Sequence, residues 1–210
     1  MFDISPRAAQ KVAFIAALAN LLAGALTLFV LRQGLPPRAL ADRATFISSH
    51  EILWRLGWLG WSVAAVTLLA LFLALAGRWR PEAPVLCGLG IVVGTAGLAA
   101  DLSAEALLAG FTRSTLPNLS LVQSEAFLLT GYVGNGLYTV AGILLTVAAR
   151  KELPAHVLAV GGLVWAAGLW LSVAALAGST TGEAVSTGIV IASFVVWAGL
   201  LGRWYGSLES

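Results

Sequence analysis

The sequence predicts an all-α fold, a polytopic membrane protein in which six transmembrane helices form one bundle with both termini in the cytoplasm. Three observations predict it. Hydrophobic residues make up 59% of the 210 and charged residues only 10%, where soluble domains carry about 25% charged residues. Apolar runs of about 20 residues, each long enough to cross a hydrocarbon core of about 30 Å, recur along the whole chain between short breaker clusters. The basic residues fall beside those runs and are unevenly shared between the two sides. No stretch is left for a soluble domain, so residues 1–210 read as a single transmembrane domain.

The first run covers residues 9–31 and ends at RQGLPPRALADR. Arg7 and Lys11 before it and Ala39-Leu40-Ala41 after it imitate a secretory signal. The run is too long for a typical signal core, so it is expected to stay as an anchor. The second covers 49–76 and turns back at GRWRPEAP; the third covers 85–111 and stops before TRSTLPN. The fourth covers 119–149 and ends at RKELP, the fifth 155–177, and GSTTGE leads into the sixth, 184–201.

An even number of spans puts both termini on one side. Arg7, Lys11, Arg78, Arg80, Arg150, Lys151 and Arg203 share that side, against Arg32, Arg38, Arg43, Arg55 and Arg113 opposite. Two of the latter lie in the longest loop and Arg55 lies within a helix, so the positive-inside rule favours termini in the cytoplasm. Trp79, Trp204 and Tyr205 flank the inner arginines, where an aromatic belt is expected. A net charge of +2 and a pI near 9.0 come from these flanking residues and give no case for nucleic acid. Cys87 is the only cysteine, which excludes an internal disulfide and reads as a small packed side chain. Gly90 with Gly94, and Gly131, Gly134 and Gly136, lie inside the spans, where small residues let helices approach closely.

The polar residues gather at one depth. Asp101 follows Val85 by 16 residues, about 24 Å at about 1.5 Å per residue, and Glu105 lies one turn further out. The outer ends of the second and fourth spans bring His50, Glu51 and Arg55, and Gln123 and Glu125, to the same level. Asp101 with Glu105, and Glu51 with Arg55, share helix faces at i,i+4. Ionised groups are expensive in lipid, so these are expected to face the bundle interior, one another or a water-filled cavity, with Arg55 and Arg113 as counter-charges. Trp54, Trp58 and Trp61 recur on one face of the second span and would wall an outward-facing pocket. Its candidate binding residues are therefore His50, Glu51, Trp54, Arg55, Trp58, Asp101, Glu105 and Glu125. The plainer reading is that the charged groups are solvated among headgroups and the tryptophans pack against a neighbouring helix, a pigment or a lipid. Nearer the midplane Asn20, Tyr132, Asn135 and Tyr138 are read as interhelical hydrogen-bonding groups, the last three sharing one face.

Familiar chemistry is missing from the pattern. His50 and His156 fall on opposite faces and cannot share a haem iron. Zinc bound by His50 with Glu51, Glu105 or Glu125 would lack any spacing signature. No GxSxG, HExxH or P-loop motif occurs, and Lys11 and Lys151 are too terminal for a retinal-type Schiff base. No catalytic or metal residue is assigned, and no cofactor is identified.

ISSHEILWRLGW and GLYTVAGILLTVAARKELPAHVLAVGGLVWAAG resemble a family of small bacterial membrane proteins with about six helices, catalogued as a domain of unknown function (the four-three-eight-six family). The resemblance covers about half the chain. It would carry Glu51, Arg55, Gly136, Arg150 and Pro154, and implies architecture alone. Three functions suit the whole pattern. One is binding or transport of a small polar or amphipathic molecule in the outer pocket, with proton coupling through Asp101 or Glu105. Another is a non-catalytic accessory subunit packed against partner membrane subunits or copies of itself. The third is an enzyme acting on lipid or quinone, with the carboxylates as acid and base. Membrane lipid is a partner under all three.

Overall fold

A computed structural model describes residues 4–111 and 116–208 of the chain. These residues form α1 (Pro6–Phe29), α2 (Leu40–Ser49), α3 (Glu51–Trp79), α4 (Pro84–Ala109), α5 (Leu119–Phe127), α6 (Asn135–Ala149), α7 (Ala155–Leu176) and α8 (Thr180–Ser207). A π-helical stretch, Leu128–Gly134, joins α5 to α6 in one rod. That rod and α1, α3, α4, α7 and α8 are the six elements long and apolar enough to cross a membrane.

Local chemistry starts and stops them. Ser5 Oγ accepts from the Ala8 N–H at 3.3 Å ahead of Pro6, whose fixed φ suits a first helical position. Ser179 Oγ caps α8 in the same way, accepting from Gly182 N–H at 3.2 Å. Between them α7 ends on Gly178 at φ 65°. Its N–H donates to Ala175 O at 3.1 Å, and that of Ser179 to Ala174 O at 2.9 Å. This is a Schellman closure, whose left-handed residue favours glycine.

The spans pack in chain order around a closed ring: α1 on α3, α3 on α4, α4 on α6, α6 on α7, α7 on α8, and α8 back on α1. The chain termini, the α3–α4 turn and the α6–α7 turn share one end. The short α2 lies at the other, which we call the α2 end. Small residues make the contacts close. A methyl group on Gly90 would come within 2.9 Å of Leu145, and one on Gly142 within 2.3 Å of the Trp165 ring. Gly97 of α4 abuts Gly134, whose carbonyl oxygen would lie 3.1 Å from such a methyl.

Three features differ from the sequence reading. The segment read as a loop after the first span contains α2, which buries Arg43 and Ile47. α8 is longer at both ends than 184–201, because Ser179 caps an earlier turn and Tyr205 is buried beyond Arg203. The expected inner belt is packed inside instead: Trp79 and Tyr205 are each 1% exposed. Trp79 stacks on Trp204 at 5.7 Å. Arg78 lies 5.3 Å above the Trp204 ring and pairs with Glu152 at 2.8 Å. This cluster ties the ends of α3 and α8 to the α6–α7 turn.

Candidate functional site

Two apolar cores divide the bundle. The larger runs from the termini end through the middle and includes Phe72, Tyr138, Ala141, Leu145, Trp165 and Trp197. The smaller fills the α2 end with Leu31, Ile47, Trp54, Trp58, Leu108 and Leu119. Asp101 and Glu105, 8% and 2% exposed, belong to neither and lie in a polar layer between them.

That layer is assembled from four elements. α4 supplies both carboxylates, one turn apart. From α3, Ser62 Oγ donates to Glu105 Oε2 at 2.5 Å; Trp58 O, 3.3 Å away, is the alternative acceptor for its single proton. From the π stretch, Thr130 Oγ donates to Asp101 Oδ1. Tyr138 of α6 is buried with its hydroxyl facing Asp101. Trp58 Nε1, on the same stretch of α3 as Ser62, is a buried donor with no acceptor. Among the described residues no Lys or Arg pairs with either carboxylate.

The eight residues expected around one pocket separate into two groups. Trp54 and Trp58 are buried, in edge-to-face contact at 5.5 Å. Trp54 Nε1 donates to Leu108 O at 2.6 Å, satisfying a carbonyl in the last turn of α4. These two rings separate Ser62, Asp101 and Glu105 from the α2 end. His50, Glu51, Arg55 and Glu125 do not join them. Arg55 pairs with Glu51 on an exposed face instead of turning inward as a counter-charge. His50 is exposed and stacks on Phe46 at 4.8 Å, and Glu125 is exposed. Arg113, the other expected counter-charge, lies outside the described residues. Among those residues no three His, Cys, Asp or Glu side chains gather into a metal-holding set. Two surface grooves lie elsewhere. One of about 290 Å³ runs along α1 and α8 beside Phe14 and Gly199. The other, of about 350 Å³, runs along α6 and α7 beside Thr146 and Trp165.

The midplane groups also divide. Asn135 Nδ2 donates to Gly168 O at 2.7 Å and Ser172 Oγ at 2.9 Å, joining α6 to α7. Asn20 bonds its own helix, donating to Ala16 O at 2.9 Å. Tyr132 is 43% exposed whereas Tyr138 is 7% exposed. The i,i+3 face expected for them does not form, because a π turn winds less per residue than an α-helix and shifts the phase. The sequence reading omitted Ser62 and Thr130, the two hydroxyls that meet the carboxylates. It also left Arg43 in a loop, although Arg43 is 9% exposed and donates to Gln123 Oε1.

No protein-family model, no curated protein and no solved structure matches the chain.

Proposed function

We propose that the chain is a multi-pass protein of a bacterial inner membrane, with cytoplasmic termini, that binds or transports a small polar molecule through the layer around Asp101 and Glu105. The excess of basic residues at the termini end supports the orientation. The observation that carries the function is the mismatch within the layer. Two buried carboxylates have hydroxyl partners and, among the described residues, no cation, while the Trp58 indole is a donor without an acceptor. Burying such groups is costly unless something completes their hydrogen bonding. A small molecule with cationic or N–H/O–H donors and at least one acceptor would meet both needs. Ser62 also suits proton coupling. With Glu105 ionised, the hydroxyl donates to the carboxylate; with Glu105 protonated, it can accept from the acid and donate to Trp58 O.

The exposed Glu51–Arg55 pair, His50 and Glu125 are then outside the binding layer, at the surface of the α2 end. Native mass spectrometry of the mildly solubilised protein tests the proposal. A small-molecule adduct at fixed stoichiometry, lost in Asp101→Asn/Glu105→Gln while the variant stays folded, is the expected result. An adduct unaffected by the double substitution overturns it.

One observation favours a second reading, that of a non-catalytic accessory subunit. Ser62 and Thr130 bridge α4 to two neighbouring elements, so the layer would serve as an interhelical lock. That reading predicts a lower melting temperature, or loss of partner chains, in the same double variant.

A further inference from the structure

Arg43 is the only buried arginine among the described residues. No described carboxylate pairs with it, and residues 112–115, Thr-Arg-Ser-Thr, contain none. A guanidinium withdrawn from water without a counter-charge is costly, so its setting is informative. Nη1 donates to Gln123 Oε1. Gln123 is itself 1% exposed and fixed at its other end, where Nε2 donates to Gly34 O at 2.8 Å. The amide therefore orients the guanidinium plane. Nε is buried with no acceptor, and Gln123 is the only described group that accepts from the side chain. In a guanidinium, Nε–H and the adjacent Nη–H point to the same side and form a fork that fits two oxygens of one oxyanion. Here Nη1 is held by Gln123 and the Nε–H is enclosed with no acceptor.

We propose that Arg43, oriented by Gln123, binds the phosphate group of a membrane phospholipid at the α2 end. Position favours a lipid over a soluble anion. Arg43 lies at one end of a ring of membrane-length helices. The same end exposes apolar side chains on which acyl chains can lie: Phe29 closes α1 at 80% exposure and Ile52 opens α3 at 75%. The phosphate supplies the missing negative charge, and the chains cover the flanking apolar surface.

The test titrates dioleoylphosphatidylglycerol onto protein exchanged into lipid-free detergent, read by native mass spectrometry with inorganic phosphate as the soluble competitor. Wild type and Arg32→Gln, an exposed control at the same end, are expected to hold one phospholipid per chain in the presence of millimolar phosphate. Arg43→Gln is expected to weaken that binding about tenfold. Gln123→Glu gives Arg43 an internal carboxylate at the expense of the donor to Gly34 O; it is expected to stay folded without the lipid and to lose lipid binding. Equal lipid affinity in Gln123→Glu, Arg32→Gln and wild type overturns the proposal. So does displacement of the lipid by inorganic phosphate, which would make the ligand a free anion.

Discussion

Glu105→Gln is expected to make the protein more stable, and the size of the gain follows from the geometry. Glutamine keeps the side-chain length and an oxygen to accept from Ser62, whose Oγ lies 2.5 Å from Glu105 Oε2. The charge is removed, and one acceptor oxygen becomes an NH2 donor. Asp101 is the like charge one turn away, and Cβ atoms at i,i+4 are about 5–6 Å apart. At an effective dielectric of about 20, two unit charges about 6 Å apart repel by about 3 kcal/mol. No described cation offsets that repulsion. The substitution therefore gains up to about 3 kcal/mol when both groups are ionised. At about 2–4 °C per kcal/mol for a chain of this size, Tm rises by up to about 6–12 °C. Ser62→Ala, by contrast, leaves a buried charged acceptor unmet and costs about 1.5–3 kcal/mol, against about 1 kcal/mol in the Glu105→Gln background. Thermal melts of the four proteins in detergent, followed by tryptophan fluorescence, close the double-mutant cycle. A Glu105→Gln protein that melts below wild type, with no coupling to Ser62, would refute the reasoning. The carboxylate would then be holding the bundle together.

Three other outcomes follow from the packing. Gly142→Ala puts a methyl 2.3 Å from the Trp165 ring, which Phe72, Trp197 and a 2.9 Å bond from Nε1 to Thr146 Oγ hold in place. It should cost about 1–3 kcal/mol or more, whereas Gly162→Ala, with open space around it, should melt at or above wild type. Trp54→Phe removes the donor to Leu108 O and should lower stability by about 1–2 kcal/mol in the same melt. Cys87, 1% exposed, should resist a maleimide in the folded protein and react on unfolding; fast labelling of the folded protein would contradict the α3–α4–α6 packing.

The spans were legible because length and hydropathy carry that signal directly. The acidic pair was legible because a charged residue in an apolar run needs a reason. The facing of Arg55 was not. A helix that is apolar all round gives no inside to read, so the Glu51–Arg55 spacing was visible while its exposure was not. Ser62 and Thr130 were hidden for another reason. A lone hydroxyl in an apolar helix can satisfy itself on the carbonyl one turn back, as Thr27 does on Ala23 at 3.0 Å and Ser103 on Ala99 at 2.7 Å. Nothing in the sequence distinguishes those from the two that donate to a carboxylate on a neighbouring helix. Arg43 was read as a loop charge because α2 is short and follows a Pro-Pro pair, so its burial depends on Gln123, 80 residues away.

The ring closes between the first span and the last, and that has a consequence for the order of synthesis. α1 buries Ala9, Ala13, Ala16, Ala17, Ala23 and Gly24, and part of this seam belongs to α8: Ile191 packs over Gly24, and Gly202 receives Phe14. A ribosome releases α1 first and α8 last. While the middle helices emerge, the nascent chain therefore carries a small-residue face with its final partner still unmade. A chain stalled before Thr180 would keep that face open, ready to accept a helix from another polypeptide.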